Sequence, residues 1–231
     1  MKKIVIFTGA GISAESGLST FRDADGLWEQ YRVEDICTHD AWLRNPELCV
    51  QFYNERRRDI LAAQPNPAHH AITRLQAVYT NAEVITQNID DLHERAGNLH
   101  VTHLHGEIRK LRAENDELAT VPIQGWEQHY GDRHPNGALL RPYIVFFGEG
   151  VPYFSKACDI ASTADILVVV GTSLNVYPAA SLLAYAPRNA EIFMVDPGNP
   201  LLGEYANRVQ LFREPASTGL PKVVELLLAR A

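Results

Sequence analysis

The sequence predicts an α/β fold built on a doubly wound parallel sheet, with a small inserted helical lobe. Short runs of Val, Ile and Leu alternate with helix-like segments along the chain, the rhythm of successive βαβ units. Several of those runs are apolar throughout, as strands covered on both faces are. The first of them runs into Gly9-Ala10-Gly11-Ile12-Ser13-Ala14, a glycine-rich turn at the mouth of a helix, which makes the sheet Rossmann-like.

In chain order the predicted strands are residues 3–7, 82–86, 101–104, 144–147, 166–170 and 191–195. The basic start, Met1-Lys2-Lys3, precedes an apolar run that stops at Thr8-Gly9. That is short of a signal-peptide core, and the run is read as the first strand. Helical stretches lie at about 41–63, 67–79, 152–162, 178–186 and 219–230. Two segments break the rhythm. Residues 24–63 offer helices and a loop but no good strand, and 107–140 are polar and turn-rich. Both are read as excursions from one domain, 1–231, that cover a site.

Composition narrows the function. With 21 Lys and Arg against 28 Asp and Glu the net charge is −7, which lacks the basic footprint of a nucleic-acid binder. No apolar run reaches the roughly 20 residues of a membrane span. Cys37, Cys49 and Cys158 are odd in number and far apart, so they give neither a disulfide framework nor a zinc motif, and a reducing cytoplasm is the expected location.

Four short motifs stand where strands end. Gly9–Ser13 suits the close approach of a pyrophosphate to backbone N–H groups. Gly171-Thr172-Ser173 follows the strongest strand and suits a phosphate or ribose contact, or equally a helix cap. Gln87-Asn88-Ile89-Asp90-Asp91 is either a capped helix start or a source of amide and carboxylate groups. In His103-Leu104-His105-Gly106 the two histidines share a face at period 2. One of them is a candidate general base, with a metal site as the competing reading. His129, Asp132 and His134 are the groups available to improvise such a site.

Gly9–Ser13 with Glu15-Ser16-Gly17, Thr20-Phe21-Arg22, Gln87-Asn88-Ile89-Asp90, His103-Leu104-His105-Gly106, Phe147-Gly148-Glu149 and Gly171-Thr172-Ser173-Leu174 occur in the order seen in sirtuins. The chain resembles that family of NAD-dependent protein-lysine deacylases along essentially its whole length. The resemblance implies NAD bound by Gly9, Ala10, Gly11, Ile12, Ser13 and Glu15. It adds Phe21, Arg22 and Trp28 over the nicotinamide ribose, and Gln87, Asn88, Ile89 and Asp90 around the nicotinamide. On the adenosine side it implies Gly171, Thr172 and Ser173, with Met194, Val195, Asp196 and Ala216. Phe147 and Gly148 would meet the substrate.

His105 would be the general base, with Asn88 beside it. In the chemistry so implied, the acyl oxygen of the substrate lysine attacks the ribose C1′ and nicotinamide leaves. The base then deprotonates a ribose hydroxyl, and water finally releases lysine and 2′-O-acyl-ADP-ribose. The partners implied are acyl-lysine proteins, and the sequence leaves the oligomeric state open.

Two departures sharpen the expectation. Sirtuins usually carry paired zinc-binding cysteines between the positions of Gly106 and Arg141; this chain has none there, so no zinc is expected. Tyr53 and Arg56 lie three apart on one helix face, a spacing that by itself is often a chance pairing on a solvated face. In the resembling frame they match the sirtuins that remove succinyl and malonyl groups, because a phenol and a guanidinium suit a carboxylate. Ala24 matches the roomier acyl pocket of that class. The alternatives are a mono-ADP-ribosyltransferase or NAD hydrolase on the same site, and a non-catalytic NAD sensor.

Overall fold

The computed structural model describes residues 2–20, 31–172, 174, 177–200 and 202–231. Phe21, Arg22, Ala24, Trp28 and Ser173 lie outside the described residues.

The strands are β1 (Ile4–Thr8), β2 (Glu83–Thr86), β3 (Val101–His103), β4 (Gly106–Ala113), β5 (Asp116–Pro122), β6 (Leu140–Ile144), β7 (Ile166–Val170), β8 (Glu191–Val195) and β9 (Val209–Phe212). The helices are α1 (Val33–Ile36), α2 (His39–Arg44), α3 (Pro46–Ala62), α4 (Pro67–Val78), α5 (Leu92–Arg95), α6 (Phe154–Ser162) and α7 (Ala216–Leu228). Six strands form a sheet in the order β3-β2-β1-β7-β8-β9, with every pair parallel. The chain winds outward from β1 to β3, then restarts at β7 beside β1 and winds the other way. The switch point therefore falls between β1 and β7, where open α/β sheets bind ligands.

Alternation along the strands feeds two cores. Ile4, Ile6, Val168, Val170, Phe193 and Val195 pack with α4 and α7 on one face. Val5, Phe7, Leu167, Val169, Ile192 and Met194 pack with α6 and the 3₁₀ segment Ala179–Tyr185 on the other. Every residue of β1 and β7 is buried, so both faces demand apolar side chains and the runs read as continuous. Each such side chain contributes about 1.5–3 kcal/mol by leaving water.

The inserted lobe differs from the helical one expected. It carries α1–α3 and, in addition, an antiparallel sheet in the order β5-β4-β6. The expected strand at 144–147 overlaps β6 only at Ile144, where β6 ends, and 107–140 holds most of β4 and all of β5. β5 was illegible because it has no fully buried position, so no apolar alternation marks it, whereas β4 buries Ile108, Leu111 and Ala113 between charged residues. The expected helix at 41–63 is two helices, because the Asn45 side chain caps α3 by accepting from Leu48 N, and Pro46 starts it. The expected helix at 219–230 begins earlier, at Ala216.

Polar groups hold the lobe. Arg57 is fully buried; its Nε donates to the Ile108 carbonyl at 2.7 Å, and its Nη1 donates to Asn54 Oδ1 at 2.8 Å and the Trp126 carbonyl at 2.7 Å. Asn54 in turn exchanges hydrogen bonds with the backbone of Gln128. Replacing Arg57 by Met strands two buried carbonyls, at roughly 1–3 kcal/mol each. The expected loss is about 2–4 kcal/mol in a denaturant melt, and a loss below 1 kcal/mol would mean that the network is dispensable. Among the described residues no group of three or more His, Cys, Asp or Glu stands close enough to hold a metal ion. His129 N donates to Asp132 and His134 Nδ1 accepts from Asn136 N, so these residues shape a turn.

Candidate active site

The C-terminal ends of β1 and β7 interlock. Gly9 N donates to the Val170 carbonyl and Gly11 N to the Gly171 carbonyl, both at 2.9 Å. A Cβ on Gly9 would stand 2.8 Å from Gly171 O, and one on Gly11 would stand 2.6 Å from Gly171 Cα. Gly171 has φ +61°, and a Cβ there would reach 2.4 Å from Ile12 N. Glycine is required here by backbone contact. The N–H groups of Gly9, Gly11, Ile12 and Ser13 all bond to carbonyls of these two loops, which fixes the backbone of the turn expected to meet the pyrophosphate. Ala10 is only partly buried, and Ile12 is sealed in the sheet core.

Behind the crevice lies a polar cluster. Ser13 Oγ donates to Asp90 Oδ2 at 3.0 Å, Asn88 Nδ2 donates to Ser13 Oγ at 3.1 Å, and Asp90 Oδ1 accepts from Leu92 N at 3.1 Å. Asp90 thus caps α5 while its carboxylate faces the loop. Burial pushes its pKa up, against the pull of His93 and of these donors. Gln87 Nε2 donates to Thr172 Oγ1 at 3.0 Å, tying the β2 and β7 loops together. The Ile89 carbonyl accepts from Ile108 N, which anchors the loop to the lobe.

His105 completes the cluster. Its Nδ1 lies 3.0 Å from the Gln87 carbonyl, an acceptor, so Nδ1 carries the hydrogen and Nε2 is left with its lone pair. Burial pulls its pKa below the usual histidine value, with the Gln87 bond opposing. The result is a neutral base of fixed tautomer.

The residues expected at the acyl group come from the lobe. Tyr53 is buried, stacks on Phe146 at 5.7 Å, and donates its hydroxyl to Cys37 Sγ at 3.4 Å. Arg56, half-buried one turn along α3, forms no hydrogen bond or ion pair with a described residue. Burial lowers its pKa, opposed by the nearby Asp59, then by Cys37, Tyr53 and Asp90. Arg57 points into the lobe, and Arg58 lies over Trp126 at 5.9 Å. Phe147 is 46% exposed at the rim. The Phe147–Gly148 turn is braced by Glu149, which accepts from Arg141 at 2.7 and 3.1 Å and from Phe146 N at 2.9 Å. Burial raises the Glu149 pKa, but the Arg141 pair outweighs it and holds the carboxyl below its usual range.

Four expected contact residues have their side chains placed elsewhere. Met194 and Val195 are wholly buried on opposite faces of β8, because period-2 alternation sends both side chains into cores and neither to the edge. Only Asp196 reaches the turn, where it accepts from Gly198 N. The Ala216 side chain is buried in the α4–α7 core. Glu15 caps α7, accepting from Ser217 N at 2.8 Å and from the Ser217 hydroxyl.

Residues that the sequence did not single out line the floor. Thr8 Oγ1 is 2.8 Å from Thr86 Oγ1 and 3.0 Å from His93 Nε2, and His93 Nδ1 is 2.6 Å from Asn98 Oδ1. His69 packs against His93 with ring centroids 5.1 Å apart. Burial, with His93 and His70 nearby, pushes the His69 pKa down to about 3. The unfolded chain takes up this proton as pH falls below about 6.5 and the folded chain refuses it until near 3, so stability is lost across that window. Thermal melts should lose about 2 kcal/mol between pH 6.5 and 4.5 from this group. His69→Gln should flatten that slope, and an unchanged slope would show that His69 is not its source.

Residues 9–178 match the Sir2 family. The chain belongs to the Sir2 family. A Bacteroides thetaiotaomicron protein named NAD-dependent protein deacylase is 45% identical over 233 residues, spanning 99% of both chains. An Aggregatibacter actinomycetemcomitans protein of the same name is 52% identical over 204 residues, 88% of this chain and 97% of its own. Among solved structures, a Sir2 homolog–NAD complex superposes with TM-score 0.90 at 36% identity, covering 99% of this chain and 90% of that one. A Sir2–p53 peptide–NAD⁺ structure gives 0.80 at 29%, covering 98% and 93%.

Proposed function

We propose that this Sir2 protein is an NAD-dependent protein-lysine deacylase that prefers succinyl- and malonyl-lysine and accepts acetyl-lysine, giving nicotinamide and 2′-O-acyl-ADP-ribose. The observation that carries the proposal is His105: a partly buried imidazole, its pKa lowered by burial, whose tautomer is held by Gln87 and whose Nε2 bonds to no described residue. A general base needs that arrangement before any substrate arrives.

The residues present fit NAD. Gly9, Gly11 and Gly171 let the ends of β1 and β7 meet backbone to backbone at the switch point of the sheet, where open α/β folds bind nucleotides. Asn88, Ser13 and Asp90 supply amide, hydroxyl and carboxylate groups of the kind a carboxamide pairs with. Bound NAD would supply an electrophilic ribose carbon for the acyl oxygen and a 2′-hydroxyl to receive the acyl group. Asp90 and Asn88 orient the nicotinamide end, and Gln87 with Thr172 closes the floor. His105 Nε2 accepts the proton of a sugar hydroxyl, and Phe147 at the rim packs against the lysine stem.

The preference for acidic acyl groups rests on Arg56, a half-buried guanidinium without a described ion-pair partner beside the Tyr53 phenol. A guanidinium held out of bulk water and facing a site favours an anionic ligand group. Matched succinyl-, malonyl- and acetyl-lysine peptides, incubated with and without NAD while nicotinamide and peptide are followed by mass spectrometry, test both parts. Faster NAD-dependent desuccinylation is the expected result. Nicotinamide without deacylated peptide would instead mark an NAD hydrolase or ADP-ribosyltransferase, and NAD binding without turnover a sensor.

A further inference from the structure

His103 and His105 each hold one carbonyl of the loop that carries Asn88 and Asp90, but their second nitrogens face different partners. His105 Nε2 has no hydrogen-bond partner among the described residues, whereas His103 has Nδ1 at 2.8 Å from the Asn88 carbonyl and Nε2 at 2.9 Å from Glu94 Oε1. A backbone carbonyl and a carboxylate are both acceptors. A neutral imidazole has one N–H and satisfies only one of them; an imidazolium satisfies both.

We propose that His103 works as an imidazolium, a positioning residue that clamps the Asn88 carbonyl from below and thereby sets the nicotinamide end of the site. The proposal rests on the deacylase reading above for its kinetic consequences, though not for the protonation state itself. The geometry is closed on every side. The ring is buried, and Glu94 reaches it from α5 with its carboxylate still half in solvent. The other titratable groups that act on the ring are His93 on α5, Asp90 in the clamped loop and Glu107 on β4. Two of these are carboxylates, and His93 is held neutral by burial. Burial disfavours the charge on His103, but the bond to Glu94 outweighs it and raises the pKa above the usual histidine value.

The clamp passes its effect along a short chain. With the carbonyl fixed, the Asn88 side chain reaches Ser13 Oγ and Ser13 reaches Asp90, the order in which the cluster is bonded. The two histidines then give opposite pH limbs. His105 must be neutral, so its step fails as pH falls through its lowered pKa. His103 must be charged, so nicotinamide release weakens as pH rises through its raised pKa.

The test has a spectroscopic and a kinetic arm. In ¹⁵N-histidine-labelled protein without NAD, both His103 ring nitrogens should be protonated at pH 7.5, and Glu94→Gln should render the ring neutral. A neutral His103 in the wild-type protein at that pH overturns the proposal. In the kinetic arm, nicotinamide release from NAD with an acetyl-lysine peptide should show an alkaline limb in the wild type. His103→Asn keeps a donor for the Asn88 carbonyl without a titrating group. It should stay within a few-fold of wild type and lose the limb. His103→Leu removes the donor and should raise KM for NAD about tenfold, the expected loss of a charge-assisted bond. A limb that persists in His103→Asn assigns it elsewhere and overturns the proposal. Absence of any nicotinamide release from the wild type refutes the deacylase reading, while the ring spectrum still decides His103.

Discussion

His105→Ala is expected to lower NAD-dependent deacylation by two to four orders of magnitude, the usual contribution of a positioned general base. The protein should still fold, because the ring makes a single hydrogen bond, to Gln87, worth about 1 kcal/mol. NAD should still bind, because the glycine crevice and the Asn88–Ser13–Asp90 cluster make no contact through this ring. Stopped assays with an acyl-lysine peptide, beside NAD titration by calorimetry, separate the two effects. In the wild-type protein the rate should fall as pH drops through the lowered His105 value, below the ordinary 6.5, since the protonated ring accepts nothing. Retention of a tenth or more of the wild-type rate by His105→Ala would show that another group takes the proton.

The second large effect is on selectivity. Arg56→Met should cut the ratio of succinyl- to acetyl-lysine turnover by about 10- to 100-fold, the 1.5–3 kcal/mol of a hydrogen bond to a charged group. The acetyl-lysine rate itself should stay within a few-fold, because an acetyl group offers no carboxylate for the guanidinium to hold. Tyr53→Phe should shift the ratio by less, roughly 2- to 10-fold. The Tyr53 hydroxyl already donates to Cys37, a weak sulfur acceptor, and must leave it to reach a ligand. Selectivity that does not move in either variant removes the acyl preference from α3 and leaves a deacylase without it.

The contrast between Arg56, Arg57 and Arg58 shows how far a sequence reaches into such a site. Three identical residues in a row sit about 100° apart on one helix. One faces the site, one is sealed in the lobe on three carbonyl or amide oxygens, and one lies over an exposed tryptophan. Their local sequence distinguishes none of these roles. The site-facing position of Arg56 was legible only through the spacing to Tyr53 and the family resemblance. The role of Arg57 was not legible at all, since its partners Ile108 and Trp126 are more than 50 residues away. Glu94 was missed for a similar reason: it reads as a solvated helix residue, and nothing nine residues upstream of His103 announces a pair.

What the sequence determined by itself was whatever depends on covalent order and period. The apolar run at 166–170 matches β7 in full and that at 192–195 matches β8 after its first residue, Glu191, because a strand position covered on both faces must be apolar. Gly9, Gly11 and Gly171 had to be glycine where two strand ends touch backbone to backbone, and that too is written in the chain. Tertiary structure alone decided the rest. It turned Met194 and Val195 into the cores, paired β4 with β5 and β6, and gave His105 a free nitrogen but His103 a carboxylate. The reason is physical: protonation, burial and the partner of a polar group are properties of the neighbours that folding brings together, and those neighbours are remote in sequence.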